Sequence, residues 1–295
     1  MTAFAAAATA LLTAHDATAW IHARDLGTAA ELSLRGDEPV PASSLSKVPL
    51  LVTLYRLADA GLLDLAETVT IGAADRSPGP TGLSVLQDDA GLSLRDLATL
   101  AVTVSDNTAA DVLFRRVELD TINHHLDALG LTGTRVATTM RQLFADMRTD
   151  AGIDPHTGRE RPLTDPEAVG RLRVLDPART SRTTAAETTA LFAGIWLDQV
   201  ATPASCAELR RPFTLQVWPH RLASGFPYDD VVVAGKTASL PTMRAEAGVI
   251  SYPDGGRYAL CVLIRSGVTS FTAPRLDALI GTLGRLAVDH LRETR

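Results

Sequence analysis

The sequence predicts an α+β fold in which an antiparallel sheet is covered by helices and carries an inserted all-helical subdomain. The order of the patterns supports this fold, because a helix and short strands come first, a helical block follows, and strands and a helix end the chain. Strands and helices grouped in this way are typical of the class. The turn sequence PDGG at 253–256 joins two Val/Ile-rich runs and predicts a hairpin, which makes those strands antiparallel neighbours.

The first element is a predicted helix at residues 3–13, which are rich in alanine and other good helix formers. The stretch also resembles the core of a signal peptide. However, no Lys or Arg precedes it, and the first such residue is Arg24. We therefore expect a structural helix and a cytoplasmic protein. Two short strands follow, at 17–24 and 29–34.

Helical patterns fill most of the middle of the chain. The most apolar of them is 45–60, which Gly61 closes, and a helix that is apolar on all faces is a buried one. The other helical patterns cover 93–104, 108–117, 120–129, 183–197 and, with amphipathic spacing, 273–294. The strand-like runs of the second half are 231–237, 244–251 and 257–265.

The segment 140–178 has a different composition, rich in Asp, Arg, Pro and Gly. This predicts a long loop with one short helix at 166–172. We expect the chain to form one unit of two interleaved subdomains. The sheet subdomain combines 1–60 with 190–295, and the helical subdomain spans 61–189 and includes the long loop.

The composition excludes several classes of protein. The chain has 295 residues, of which 46% are hydrophobic, and its net charge of -6 argues against a nucleic-acid binder. No apolar run is long enough to span a bilayer, so we expect no membrane partner. Two cysteines are too few for a disulfide framework, and Cys261 is typical of a buried thiol, although a bridge to Cys206 stays open. His124 and His125 lack the spacing of zinc ligands, so we expect no metal and no cofactor.

Lysine is rare in this chain, since only Lys47 and Lys236 are lysines among 28 basic residues. Arginine keeps its charge at any working pH and cannot serve as a general base, whereas a buried lysine can lose its proton and act as one. Both lysines are therefore candidate functional residues, unless the bias towards arginine left them by chance.

The motif SLSK at 44–47 places a hydroxyl and an amine three residues apart on one face of a helix start. The Lys47 amine can then reach the Ser44 hydroxyl, and the free N–H groups of the helix start can stabilise an oxyanion. Taken alone this motif is weak, and Ser44 also fits a helix N-cap.

Two further motifs bring similar groups. In SDN at 105–107, Ser105 can relay a proton and Asn107 can donate to a substrate carbonyl, although the motif also fits an N-cap. In KTAS at 236–239, an amine and hydroxyls line a strand edge along which a substrate chain can pair. The backbone N–H of Ser239 can supply an oxyanion donor there, and an exposed strand end is the alternative.

The three motifs, taken in this order, resemble those of the class A β-lactamases and penicillin-binding proteins, which are Ser-x-x-Lys, Ser-Asp-Asn and Lys-Thr-Gly. The resemblance extends to 41–49, 91–108 and 249–255, and covers nearly the whole chain except 140–178. It implies a β-lactamase-like fold with a five-stranded antiparallel sheet, an all-helical subdomain, and serine acyl-enzyme chemistry.

The resemblance also implies a role for each motif residue. Ser44 is the nucleophile, and Lys47 in its neutral form takes the serine proton. The N–H groups of Ser44 and Ser239 hold the oxyanion, and Ser105, polarised by Lys236, passes a proton to the leaving group. The substrate-binding residues are Asn107, Thr237, Ser239 and Arg244, the last by pairing with a substrate carboxylate unless it is an ordinary surface arginine.

Two departures from the family pattern bear on function. Ala238 replaces the glycine of the third motif, and its methyl group lies on the strand that the substrate approaches. Class A β-lactamases carry a Glu-x-x-Leu-Asn segment in the region of 140–178, and its glutamate activates the deacylating water. Here Glu160 and Glu167 lack the Leu-Asn partner, so we assign that role to neither.

Three functions compete for this chain. The first is an acyl hydrolase acting on esters, amides or β-lactams. The second is a transacylase of secondary metabolism or a weak β-lactamase, which the missing glutamate favours. The third is a non-catalytic binding protein, against which the intact Ser44, Lys47, Ser105 and Lys236 argue. The expected partner is a small-molecule acyl substrate, and the sequence does not indicate an oligomeric state.

Overall fold

The computed structural model describes residues 3–154 and 158–293. The described residues leave out 155–157 of the predicted loop and 294 of the predicted last helix. They also leave out residues 1, 2 and 295 of the predicted sheet subdomain. The described helices are α1 (Ala3–Ala14), α2 (Lys47–Asp59), α3 (Leu94–Thr103), α4 (Asn107–Val117), α5 (Leu119–Ala128), α6 (Met140–Ala151), α7 (Pro166–Val169), α8 (Ala185–Trp196), α9 (Pro203–Thr214) and α10 (Pro274–Glu293). The strands are β1 (Ala17–Asp25), β2 (Glu31–Leu34), β3 (Val40–Pro41), β4 (Thr68–Ile71), β5 (Ala90–Ser93), β6 (Arg182–Thr183), β7 (Val232–Leu240), β8 (Met243–Ser251) and β9 (Arg257–Ser266).

The main sheet has five strands in the order β2-β1-β9-β8-β7, and every neighbouring pair is antiparallel. This confirms the predicted sheet. The register places His22 opposite Cys261 and Lys236 opposite Ala247. β7 forms one edge of the sheet, so the backbone of its KTAS motif at 236–239 has one side that does not pair with another strand.

Helices cover both faces of this sheet. The face that carries Ala245, Ala247 and Val249 belongs to a core cluster shared with α8, and the opposite face packs against α1 and α10. Because both faces are covered, every residue of β8 except Ser251 is buried. The same arrangement explains why the interior of β9 is a continuous apolar run in the sequence, whereas the charged residues of β8, Arg244 and Glu246, are buried with hydrogen-bond partners.

The segment 140–178 contains the helix α6, so the prediction of a loop over its first third is wrong. Its buried residues recur at helical spacing, namely Met140, Leu143, Met147 and Ala151. The side chain of Thr139 caps its first turn, and Gly152, at φ 73°, ends it. Charged residues fill the other faces of this helix and hide its apolar stripe in the composition. The short helix predicted at 166–172 is present as the four residues of α7.

Two other helices differ from prediction. α2 begins at Lys47 and not at residue 45, because Ser43–Ser46 form a 3-10 turn before it. The sequence analysis did not predict α9, although Thr202 accepts the hydrogen bond of an N-cap and Pro203 occupies the first helical position. Every residue from Lys47 to Tyr55 is buried, which confirms the buried helix predicted here.

The remaining predictions concern cysteines and the membrane. Cys206 and Cys261 are both buried and free, so the bridge that the sequence left open does not form. Within residues 3–154 and 158–293, no helix is both long and apolar enough to cross a membrane.

Candidate active site

Ser44 lies in the 3-10 turn between β3 and α2. It is the one residue from Pro41 to Leu50 that is not buried, so its hydroxyl is the point at which this segment meets solvent. Ser44 Oγ accepts a hydrogen bond from Ser105 Oγ at 3.3 Å. The side chain makes no capping bond in the turn, so the N-cap alternative is wrong. A partly exposed hydroxyl on a buried frame suits a nucleophile.

The backbone before Ser44 is held in an uncommon conformation. Ser43 has φ 46°, in the left-handed region that non-glycine residues rarely adopt. Its Oγ donates to the backbone oxygen of Ser239 at 2.9 Å, which ties the turn to the edge strand β7. The first hydrogen bond of the turn runs from Leu45 N–H to Ala42 O, so the Ser44 N–H precedes the helical bonding and can serve an oxyanion.

Lys47 lies one helical turn after Ser44 and is fully buried. Its Nζ donates to Ser105 O at 2.7 Å and to Asn107 Oδ1 at 2.9 Å, with longer bonds to Asp106 O at 3.2 Å and Ser105 Oγ at 3.3 Å. These four acceptors favour the ammonium form, which has three protons to donate. Ser44 Oγ is not among them, so the lysine reaches the nucleophile through Ser105.

Burial and the nearby charges shift the pKa of Lys47 in opposite directions. Burial lowers the pKa of the Lys47 amine from 10.5 to about 7, although the negative charges of Asp106 and Asp111 oppose the change. An amine with this pKa is close to half neutral at neutral pH. It can therefore both accept and return a proton without a large free-energy cost in either direction.

Ser105 links the other groups of the site. Besides its bond to Ser44, Ser105 Oγ accepts hydrogen bonds from Lys236 Nζ at 2.9 Å and from Lys47 Nζ at 3.3 Å. A hydroxyl has one proton and two lone pairs, and all three are used here. Ser105 has φ 58°, so the loop holds it in a left-handed conformation that aims the hydroxyl at the nucleophile.

The other two residues of the SDN motif hold this loop in place. The carboxylate of Asp106 caps α4 by accepting from Ala109 N–H and also accepts from Leu83 N–H at 2.6 Å. Asn107 accepts from Lys47 and donates its amide to Pro78 O at 2.7 Å. One of the two amide protons of Asn107 remains for the substrate carbonyl that the sequence analysis assigned to it.

Lys236 enters the site from β7 and is fully buried. Its Nζ donates to Ser105 Oγ at 2.9 Å and to Thr237 O at 2.7 Å. Burial, together with the positive charges of Lys47 and Arg221, holds the pKa of Lys236 well below its usual value, and Glu246 opposes this. Two amines therefore share one serine hydroxyl, and the positive charge of Lys47 makes Lys236 easier to deprotonate.

The unpaired edge of β7 faces this cluster. Thr237 N–H donates to Gln216 Oε1 at 2.8 Å and not to β8. Backbone donors alternate along a strand, so the N–H of Ser239, two residues on, points to the same side, away from β8. Ser239 is exposed, and its role as the second oxyanion donor stays a prediction.

The structure does not leave Arg244 free to bind a substrate carboxylate. Its guanidinium donates to the backbone oxygens of Leu240, Met243, Ser270 and Phe271, and the residue is only 5% exposed. The basic group beside Ser239 is Arg221, whose Nη2 donates to Ser239 Oγ at 2.7 Å and whose Nε is paired with Asp277 at 2.8 Å. The sequence analysis missed Arg221 because it lies in a loop without a motif.

A buried carboxyl group lies beneath the edge strand. Glu246, opposite Thr237 in the register, accepts from Gln216 Nε2 at 2.6 Å and from Leu222 N–H at 2.7 Å. Burial raises the pKa of Glu246 despite these bonds and the nearby positive charges of Arg221 and Lys236. The carboxylate occupies the space that a side chain at Gly235 would need, since its Oε1 would be 2.8 Å from a Cβ there.

The glutamates of the segment 140–178 make no described contact with Ser44 or Lys47. Glu160 is exposed, and the carboxylate of Glu167 pairs with Arg161 and Arg171 on the surface.

Comparison with known proteins agrees with this geometry. Residues 3–291 match the model of the family described as the beta-lactamase enzyme family. The chain is 31% identical over 286 residues to the beta-lactamase regulatory protein BlaB of Streptomyces cacaoi, and the match covers 92% of this chain and 91% of that protein.

Solved structures show the same fold. The structure of PBP-A has a TM-score of 0.79 at 20% identity and covers 99% of this chain and 97% of PBP-A. A beta-lactamase from Chitinophaga pinensis has a TM-score of 0.81 at 20% identity, covering 98% of this chain and all of that one. The chain therefore belongs to the beta-lactamase enzyme family and is a serine hydrolase of the β-lactamase and penicillin-binding-protein type.

Proposed function

We propose that this protein forms an acyl-enzyme on Ser44 from a small-molecule amide, ester or β-lactam. The observation that carries the proposal is the hydrogen-bonded chain in which Ser105 Oγ joins Ser44 Oγ to two buried amines, Lys47 and Lys236. A mutant of PBP-A, a protein of the same fold, has been solved as an acyl-enzyme complex with penicillin G. The same chemistry on this chain would use the groups described above.

The proposed proton path runs through Ser105. When the Lys47 amine is neutral, Ser105 Oγ can donate its proton to Lys47 and accept the proton of Ser44 as that oxygen attacks the substrate carbonyl. The N–H groups of Ser44 and Ser239 then hold the oxyanion. This path differs from the direct transfer that the sequence analysis expected, because Ser44 hydrogen bonds to Ser105 and not to Lys47.

Collapse of the tetrahedral intermediate returns the proton along the same chain. Lys47, now an ammonium ion, gives its proton back to Ser105 Oγ, and Ser105 passes its own proton to the leaving nitrogen or oxygen. The Lys236 ammonium donates to Ser105 throughout and makes that hydroxyl a better acid. Water or another nucleophile then removes the acyl group from Ser44.

Intact mass spectrometry after exposure to a panel of β-lactams and activated esters tests this proposal. We expect one adduct per chain, located on Ser44 by peptide mapping. The variants Ser44→Ala and Lys47→Ala, alone and combined, should not acquire the adduct at the normal rate. Acylation of the double variant at the wild-type rate would show that the assignment is wrong.

A long-lived acyl-enzyme is the second candidate outcome of the same chemistry. Glu167 pairs with arginines on the surface, and the chain lacks a Glu-x-x-Leu-Asn segment, so no carboxylate has been identified to activate a water for deacylation. Transfer of the acyl group to an amine or alcohol would then compete with hydrolysis. Product analysis with a competing amine separates transfer from hydrolysis, and the lifetime of the adduct measures its stability.

The cellular location stays a prediction. We propose that the protein acts in the cytoplasm, because the alanine-rich helix α1 is part of the fold, with Phe4, Ala8 and Leu12 buried against the domain. Fractionation of cells that produce the native protein, with detection of the adduct in each fraction, would test it.

A further inference from the structure

A cleft of about 510 Å³ lies between the segment 166–179 and the end of the main sheet where the β7–β8 turn meets the end of β9. One wall comes from α7 and the turn that follows it, and the other from the residues Thr242 and 265–269. Thr269 Oγ1 donates to Thr164 O at 2.7 Å and joins the two walls. The volume falls in the range of small-molecule sites.

The side chains of the cleft combine an apolar wall with a basic rim. The apolar part is formed by the buried residues Val169, Leu172 and Leu175. The rim carries four arginines, namely Arg171, Arg173, Arg179 and Arg265. This is a local excess of positive charge on a chain whose net charge is -6, and the one acidic side chain in the lining is Asp176.

Two of the four arginines have no carboxylate partner. Arg171 pairs with Glu167, and Arg173 pairs with Asp150. Among residues 3–154 and 158–293, no carboxylate lies within ion-pair distance of Arg179 or Arg265, and both residues are exposed at the rim. An unpaired guanidinium presents a planar fork of donors that fits a carboxylate or a phosphate.

Both walls are joined to the candidate active site through short stretches of backbone. Thr242 follows Ser239 by three residues, so their Cα atoms are at most about 11 Å apart. On the other side, Ser181 O accepts from Ala42 N–H at 2.8 Å, two residues before Ser44, and Arg179 precedes Ser181 by two residues. A group bound to Arg179 can therefore belong to the same molecule that reaches the nucleophile.

We propose that this cleft binds the far end of the substrate's acyl chain and that this end carries an anionic group, a carboxylate or a phosphate. The apolar wall receives the methylene part of the chain, and Arg179 with Arg265 pairs the terminal anion. This inference rests on the proposed function, since the chain it describes is the acyl group transferred to Ser44. It adds the class of acyl group, which the three motifs leave open.

The test is the rate at which Ser44 is acylated by two matched series of para-nitrophenyl esters. One series carries straight monocarboxylic acyl chains of increasing length, and the other carries the dicarboxylic monoesters of the same lengths. We expect the anionic series to react faster only once the chain is long enough to reach the arginines. In the double variant Arg179→Gln/Arg265→Gln, the preference for the anionic series should fall about tenfold. This corresponds to a loss of about 1.4 kcal/mol of charge-assisted hydrogen bonding.

Controls separate the cleft from general charge and folding effects. Arg211→Gln removes an exposed arginine outside the cleft lining and should keep the full preference. The neutral series should react equally with the wild type and both variants, which shows that the site around Ser44 is intact. Added inorganic phosphate should not change the rate of the neutral series, and a change would assign the cleft to a separate anion and overturn the proposal.

The two proposals fail in different ways. If the esters acylate Ser44 but the anionic series has no advantage, or keeps it in the double variant, the cleft assignment is wrong and the proposed function stands. If no ester and no β-lactam acylates Ser44, both are overturned.

Discussion

Lys236 Nζ donates to Ser105 Oγ across 2.9 Å, although 131 residues separate them in the chain. The edge strand β7 supplies the amine, and the left-handed loop before α4 supplies the hydroxyl. Since Ser105 Oγ also contacts Ser44 and Lys47, a change to any of these groups should alter the others. The predictions below use this coupling.

The pH dependence of acylation should report the ionisation of Lys47. Burial lowers the pKa of its amine to about 7, and only the neutral amine can accept a proton, so the acylation rate should rise as pH increases through about 7. We expect a rate profile measured with an activated ester to show this limb in the wild type. Lys47→Arg keeps a positive charge but cannot lose its proton, so it should be slow at every pH. A wild-type profile that is flat between pH 5 and 9 would contradict the assignment.

Two substitutions of Ser105 separate the role of its hydroxyl in proton transfer from the strain of its left-handed backbone conformation. Both Ser105→Ala and Ser105→Gly remove the hydroxyl link, and acylation should fall by roughly 10²–10⁴-fold, the usual contribution of a proton-transfer group. Ser105 has φ 58°, which glycine adopts more easily than alanine. The glycine variant should therefore be more stable than the alanine variant by about 1 kcal/mol.

Denaturant unfolding of the two Ser105 variants measures this difference, and stopped-flow acylation measures the rate. Equal stability of the variants would mean that the loop relaxes its backbone conformation. A wild-type acylation rate in either variant would remove Ser105 from the proposed proton path.

Arg221 and Arg244 should respond differently to substitution. Arg244→Gln leaves several backbone oxygens without a donor, and we expect a loss of about 1–3 kcal/mol in stability with little change in KM. Arg221→Gln also leaves two backbone oxygens without a donor and should cost similar stability, but it removes the cation beside Ser239 as well and should therefore raise KM for substrates that carry a carboxylate. Both variants uncover Asp277, so each serves as the other's control for stability. The opposite pattern would return the carboxylate-binding role to Arg244.

Glu246 should keep Lys236 protonated from beneath the strand. The negative charge of Glu246 opposes the lowering of the Lys236 pKa, so Glu246→Gln should lower that pKa further. The ammonium form of Lys236 polarises Ser105, so the alkaline limb of the acylation profile should move to lower pH. The acidic limb, set by Lys47, should move less, and an unchanged alkaline limb would exclude this role for Glu246.

The buried Glu246 should also make the stability of the protein depend on pH. Its pKa is raised in the folded protein, so the stability it contributes is present at low pH and is lost as pH rises through the folded pKa. Glu246→Gln removes this dependence. Compared with the wild type, the variant should therefore gain stability at neutral pH relative to pH 4, as measured by urea unfolding at both values. An equal change in the free energy of unfolding at neutral pH and at pH 4 would contradict the prediction.

The chemistry of this site was largely visible in the sequence. Arginine supplies nearly all of the positive charge, so the two lysines stood out, and the motifs around them identified Ser44 and Ser105 as hydroxyl partners. Residue type determines which groups can lose or donate a proton, and no fold is needed to read that property. The sheet was also predictable, because β7, β8 and β9 each contain Val/Ile-rich stretches and the turn PDGG at 253–256 separates the last two strands.

Other features required the folded chain. α6 was hidden because its charged faces outweigh its apolar stripe in the composition of 140–178. Arg244 and Arg221 are the same residue type and both donate to backbone oxygens, and only their neighbours show that Arg221 also reaches Ser239 Oγ. The position of Ser105 between Ser44 and the lysines also depends on packing across segments far apart in sequence.

The sequence by itself determined which side chains can do acyl-transfer chemistry, because ionisation and hydrogen-bonding capacity belong to the residue. The tertiary structure decided which of them meet, that burial lowers the pKa of both amines, and that Ser105 joins Ser44 to the two lysines by hydrogen bonds. Those properties depend on distance and on exclusion of water, which are set only when the strand, the helix and the loop pack together.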